Sequence, residues 1–94
     1  MNIKNNELWI KNIKDDETKY FINIAKVDLD KMYAEDIKII SINNDIYYLY
    51  LAKDGKLFDY NFNLNNVVIF DINNDKYNKK EKIQLDLNLI ITTC

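Results

Sequence analysis

Apolar and polar side chains alternate along most of this chain, the rhythm of strands that bury one face. Between Lys82 and Thr92 the alternation is nearly unbroken: Ile83, Leu85, Leu87, Leu89 and Ile91 face one way, Gln84, Asp86 and Asn88 the other. Between Ile46 and Leu64 two such runs flank Gly55, the single glycine of the sequence. Asp54-Gly55 can take the positive φ angles of a tight hairpin turn. Two registers are open to that hairpin. A two-residue turn pairs Lys53 with Lys56 and gathers Tyr47, Leu49, Leu51, Phe58, Tyr60 and Phe62 on one apolar face. Tyr48, Tyr50, Asp59, Asn61 and Asn63 then share the opposite face. A three-residue turn with a bulge pairs Tyr50 with Phe58, Tyr48 with Tyr60 and Ile46 with Phe62, and mixes leucines with Asp59 and Asn61. A one-residue slip exchanges the two faces, so the cleaner segregation is expected. It places Leu49, Leu51, Phe58, Tyr60 and Phe62 in the core and leaves Tyr48 and Tyr50 wet.

The same reading predicts strands at Glu7 to Ile13, Thr18 to Val27, Ile37 to Ile42 and Val67 to Ile72, separated by Asp- and Asn-rich turns. Asn73 to Lys80 reads as the longest polar loop. Asp28 to Asp36 departs from period two: Leu29, Met32, Tyr33 and Ile37 recur at helical spacing, and Asp28 or Asp30 could cap a one- or two-turn helix. The expected fold is mainly β. It has about seven short antiparallel strands in sequential hairpins, arranged as a small barrel, a sandwich or a meander, with one short helix near residues 28–36. At 94 residues the chain suits a single β-rich domain spanning 1–94 with one modest core.

Composition sharpens this picture. Asn and Ile each occur fifteen times, and Pro, Arg and His are absent. The Ile, Tyr, Phe and Val content leans toward strand, although AT-rich coding produces the same vocabulary. Thirteen lysines against fifteen acids give a net charge of −2, with the only basic cluster at Lys76, Lys79, Lys80 and Lys82. That cluster is expected to be a solvated turn that keeps sheet edges apart. One cysteine, Cys94, rules out an intramolecular disulfide. No apolar run is long enough for a signal peptide or a membrane helix, so the expected location is cytoplasmic.

Several chemistries lack their parts. Without histidine there is no Ser-His-Asp or Cys-His nucleophile and no His-ligated zinc or haem. One glycine cannot build a phosphate-cradling loop, and the absence of arginine removes planar recognition of phosphate. Asp71 to Asp75 matches the opening spacing of an EF-hand loop, but Lys76 stands where glycine is needed and Lys82 where a bidentate Glu belongs. Asp28 and Asp30 read as capping groups. No catalytic, cofactor-binding or metal-ligating residue is assigned, and no enzyme activity is expected.

The aromatic hairpin is the remaining signal. Tyr48, Tyr50, Asp59 and Asn61 form the candidate partner surface, because tyrosine offers contact area at low entropy cost. The expected function is a small non-enzymatic protein-interaction module that binds another protein, such as a nucleic-acid-handling enzyme. An inhibitor or immunity-type protein of a mobile element, for example a phage anti-defence or anti-CRISPR protein, fits the size and coding bias. The alternative is a single-strand nucleic-acid-binding small barrel, with Tyr48 and Tyr50 stacking and the lysines meeting phosphates. Self-pairing of sheet edges into a homo-oligomer is a third expectation.

Overall fold

Reversing a chain requires residues that accept left-handed backbone, and this sequence uses Asn and Asp where glycine would be commonplace. A computed structural model describes the backbone of residues 2–4 and the whole of residues 7–87. Within it, Asn44, Asp59 and Asp75 take φ angles of 53°, 55° and 52° at three of the chain reversals. Between the reversals run β2 (Glu7–Ile13), β3 (Thr18–Asp28), β4 (Tyr33–Asn43), β5 (Ile46–Phe58), β6 (Asn61–Asp71) and β7 (Lys76–Asp86), with the three-residue β1 (Asn2–Lys4) beside β2. Every pairing is antiparallel and joins chain neighbours only, in the order β1-β2-β3-β4-β5-β6-β7. Among the described residues no ladder connects β7 back to β1 or β2. The fold is therefore an open meander, neither barrel nor sandwich.

A meander of single thickness buries little unless it bends, and this one bends along a line. The ladders of β3 to β7 all skip one transverse row, formed by Ala25, Asp36, Lys53, Asn66 and Glu81. Two residues of that row, Asp36 and Asn66, have φ of 54° in mid-strand. On one side of the row the buried positions are Ile24, Ile37, Ala52 and Val67; on the other they are Ala34, Gly55 and Leu64 with half-buried Val27. Two successive residues on each of these strands thus face outward, which a regular pleat does not allow. The phase shift folds the inner face over itself. As a result Leu8 of β2 and Phe62 of β6 line one small cavity of about 20 Å³, and the molecule measures 24 Å through its thinnest direction, against roughly 10 Å for one flat layer.

The inside of a bend is crowded, and β5 crosses it with its smallest side chains, Ala52 and Gly55. A Cβ on Gly55 would lie 2.9 Å from Leu64 Cδ2, 3.0 Å from the Asn63 carbonyl oxygen and 3.0 Å from Ile37 Cδ1. The glycine is there for close approach and its φ is not positive. The core occupies the inner face on both sides of the bend: Leu8, Ile22, Ile24, Ile37, Ile39, Leu64 and Val67 are almost fully buried.

Four expectations are corrected by this arrangement. The Asp54-Gly55 hairpin does not exist, because β5 runs straight through both residues and reverses at Asp59-Tyr60. A bend and a turn both interrupt a period of two, and the Asp-Gly pair made the bend look like a turn. Phe58 and Tyr60 consequently stand 67% and 52% exposed, Leu49 and Leu51 are half-buried on the outer face, and of the five expected core residues Phe62 alone is buried. The helix near 28–36 is a four-residue turn, 29–32, followed by the start of β4. Asp28 does cap it, its Oδ1 accepting the N–H groups of Asp30 and Lys31 at 3.1 and 3.2 Å. Nine residues were too few to fix a helical period. Finally, Lys76 to Lys80 is strand, and Asn65-Asn66 lies inside β6, so six long strands replace the expected seven. The predicted extension of the last strand beyond Leu87 falls outside the described residues.

Candidate interaction surface

The bend divides the outer face into two halves. The upper half lies between the bend and the turns 14–17, 44–45 and 72–75; the lower half lies between the bend and the turns 29–32 and 59–60. Strand registers assign the upper half three transverse rows. The first runs Ile13, Lys19, Ile42, Tyr47. The second runs Lys11, Phe21, Ile40, Leu49, Phe70, Tyr77, and the third Trp9, Asn23, Lys38, Leu51, Val68, Lys79.

Aliphatic side chains fill the middle of this surface and aromatic rings sit toward its two margins. Trp9 is 53% exposed, Ile40 42% and Tyr77 67%, and no described residue covers them. Neighbouring rings support one another, Phe70 and Tyr77 having centroids 6.0 Å apart. Lys11 Nζ lies 5.9 Å from the centre of the Phe21 ring, a cation–π contact on the same surface. With strands about 4.8 Å apart and same-face residues about 6.8 Å apart, the six-strand, three-row area measures roughly 500 Å² in projection. About two-thirds of it is apolar, within the range of about 300–600 Å² for the largest apolar patch on a typical monomer, patches that are often functional.

Charge is one-sided here. The three rows hold Lys11, Lys19, Lys38 and Lys79 and no Asp or Glu. Acids border the rows, with Glu7, Asp36 and Glu81 below and Asp45 and Asp75 in the turns above; Glu7 accepts the Asn23 side-chain N–H at 2.7 Å. The lower half reads differently: Asp28, Glu35, Asp36, Asp54 and Glu81 are interspersed with Lys26, Lys53, Lys56 and Lys82. There the Asn65 amide donates to Asp54 Oδ1 at 2.7 Å across β5 and β6. Partial burial, together with the Asp54 and Glu35 carboxylates, raises the Tyr33 hydroxyl above its usual pKa.

The four residues expected to form one partner surface are not together. Tyr48 and Tyr50 lie on the inner side of β5, paired with Asp71 and Ile69. They line an open groove of about 520 Å³ near the start of β7, with Lys76 and Asn78 across it. Burial, then the neighbouring Tyr20 and Tyr48, push the Tyr50 hydroxyl above the ordinary tyrosine range. Asp59 sits in the turn and Asn61 begins β6 at the opposite end of the sheet, roughly 30 Å away at 3.3 Å per residue. The EF-hand-like Asp71 is occupied by its own turn, its carboxylate accepting the Asn74 backbone and side-chain N–H groups at 3.3 and 2.9 Å. Asn73 bridges from that turn to β5, accepting from the Tyr47 N–H at 2.8 Å and donating to the Asp45 carbonyl at 2.9 Å.

No protein-family model, curated protein or solved structure matches the chain. Function must therefore be argued from the surface itself. Among the described residues no three metal-ligating side chains converge, and no helix is long and apolar enough to cross a membrane. The exposed Trp9, Phe21, Ile40 and Tyr77 are not singled out as surface residues by the sequence reading. Their signal was present nonetheless: runs such as Ile37 to Ile42 and Val67 to Phe70 are apolar at both parities, the mark of strands covered on both faces.

Proposed function

We propose that the protein is a non-enzymatic interaction module that binds another protein through the upper half of its outer face. The supporting observation is that strands β2 to β6 carry apolar side chains on both sides in this half, and that on the outer side Trp9, Phe21 and Ile40 stand exposed among the described residues. An uncovered sheet face of this kind is what a second layer normally occupies. Occluding a partner's working surface, as an inhibitor or immunity-type protein does, is a use such a face would serve. Phosphate mimicry by an acidic surface has less support, since the outer-face acids are interleaved with lysines.

Affinity capture from the host tests the proposal when wild type is compared with Ile40→Asp, a substitution at an exposed position. Partner retention should be lost in the variant while its melting temperature stays close to wild type. Equal retention by both proteins would remove the upper face from consideration.

One observation favours a second reading, a single-strand nucleic-acid binder: aromatic rings and four lysines share this half without an acid between them. Affinity for oligothymidine that falls steeply with salt would mark it.

A further inference from the structure

We infer that the partner surface received by the upper outer face is an acidic amphipathic helix, apolar along one side and flanked by Asp or Glu. This inference rests on the docking reading above and specifies its chemistry. Three candidate occupants of the face can be separated by residue placement. A second copy of this chain would bring lysines against lysines. Lys38 lies on β4, near the middle of the face, so a twofold axis through the centre would set Lys38 close to its own copy with no carboxylate in the three rows to meet either. Like charges juxtaposed in an interface oppose association strongly. A nucleic-acid strand would meet its cations but not its stacking platforms. Ile40, Leu49, Leu51 and Val68 fill the centre, and the aromatic rings lie outside them. The acids of the lower half also begin one row below, at Asp36 and Glu81.

An acidic amphipathic helix satisfies both features. Its apolar side covers the aliphatic centre, and its carboxylates meet Lys38 within the face and Lys11 and Lys79 toward the margins. From β2 to β7 is five strand spacings, about 24 Å, which a helix of about 16 residues spans. Lysine stems lie along apolar surface while their ammonium groups reach outward, so these four residues can contribute to both sides of the contact.

Fluorescence anisotropy with two labelled 18-residue helical peptides tests the inference. Both carry the same leucine face; one is flanked by Glu and the other by Lys, and oligothymidine serves as the third probe. The Glu-flanked peptide should bind about tenfold or more tighter than its Lys-flanked twin, with the difference shrinking in high salt. Lys38→Glu with Lys79→Glu leaves two lysines against two glutamates and should erase the preference between the two peptides without lowering the melting temperature. Equal binding of both peptides, abolished by Ile40→Asp, would overturn the acidic preference and leave the docking face standing. Tighter binding of oligothymidine than of either peptide, a dimer in sedimentation that Ile40→Asp dissolves, or no binding by either peptide would overturn the inference outright. The first of these would transfer the face to nucleic acid, the second to self-association, and the third would count against docking as well.

Discussion

Above and below the bend, the same strands carry opposite outer surfaces. The upper surface is apolar with lysines alone, and the lower one is a mixed field of acids, amides and lysines around Tyr33 and Phe58. Their inner faces do not differ in this way: Ile22, Ile24, Ile37 and Ile39 above continue into Ala34, Leu64 and Phe62 below as one buried cluster. The buried cluster thus lies on one side of the sheet, and the two outer halves on the other are separated by the bend row, in which Asp36 and Asn66 are left-handed. A mixed-charge surface holds its solvation and needs no partner, whereas a large apolar surface is costly to leave in water.

The largest expected effects lie on the inner face. Ile39→Ala above the bend and Leu64→Ala below it should each cost about 2–5 kcal/mol, because both side chains are almost fully buried. Denaturant melts check this, and a large loss in one half with none in the other would show that the halves do not share a core. Next is Gly55→Ala, expected to cost about 1–3 kcal/mol through overpacking. Its new methyl would press on the fixed Asn63 carbonyl as well as on Leu64 and Ile37. A neutral melt would mean that the inside of the bend has room to spare. Smallest is Asn66→Val, about 1–2 kcal/mol, since a β-branched residue is poorly suited to a φ of 54°. Combined with its melt, a peptide-binding measurement on this variant would show whether the upper face depends on the bend for its shape.

Much of the fold can be read from the alternation of side chains, and apart from the polar start of β7 the misreadings share one cause. β2 and β3 were predicted almost residue for residue, because Asp15-Asp16-Glu17 supplies an unmistakable turn and Leu8, Ile10, Tyr20, Ile22 and Ile24 keep strict phase. Where the phase shifts inside a strand, the sequence offers the same evidence as a chain reversal. At Lys53-Asp54 that shift reads as a hairpin, at Asp36 as part of a helix, and at Asn65-Asn66 as a break. Asp59-Tyr60, a real reversal, lacks glycine and relies on the tolerance of Asp for left-handed backbone. The partner surface was misplaced for the same reason: a wrong turn put Tyr48 and Tyr50 outside and aligned them with Asp59 and Asn61. Exposure of Trp9, Phe21 and Tyr77 depends on no second layer among the described residues lying over them, which is a property of the whole sheet rather than of any stretch of sequence.

The neighbour-only pairing of the strands also governs how this protein assembles and comes apart. Since no strand waits for a distant part of the chain, folding can proceed hairpin by hairpin and should be quick for an all-β protein. Loss of structure should begin at an edge of the described sheet. Residues 76–82 of β7 are exposed on both sides, so their amide protons should exchange ahead of those in β3 and β4, which are paired on both flanks.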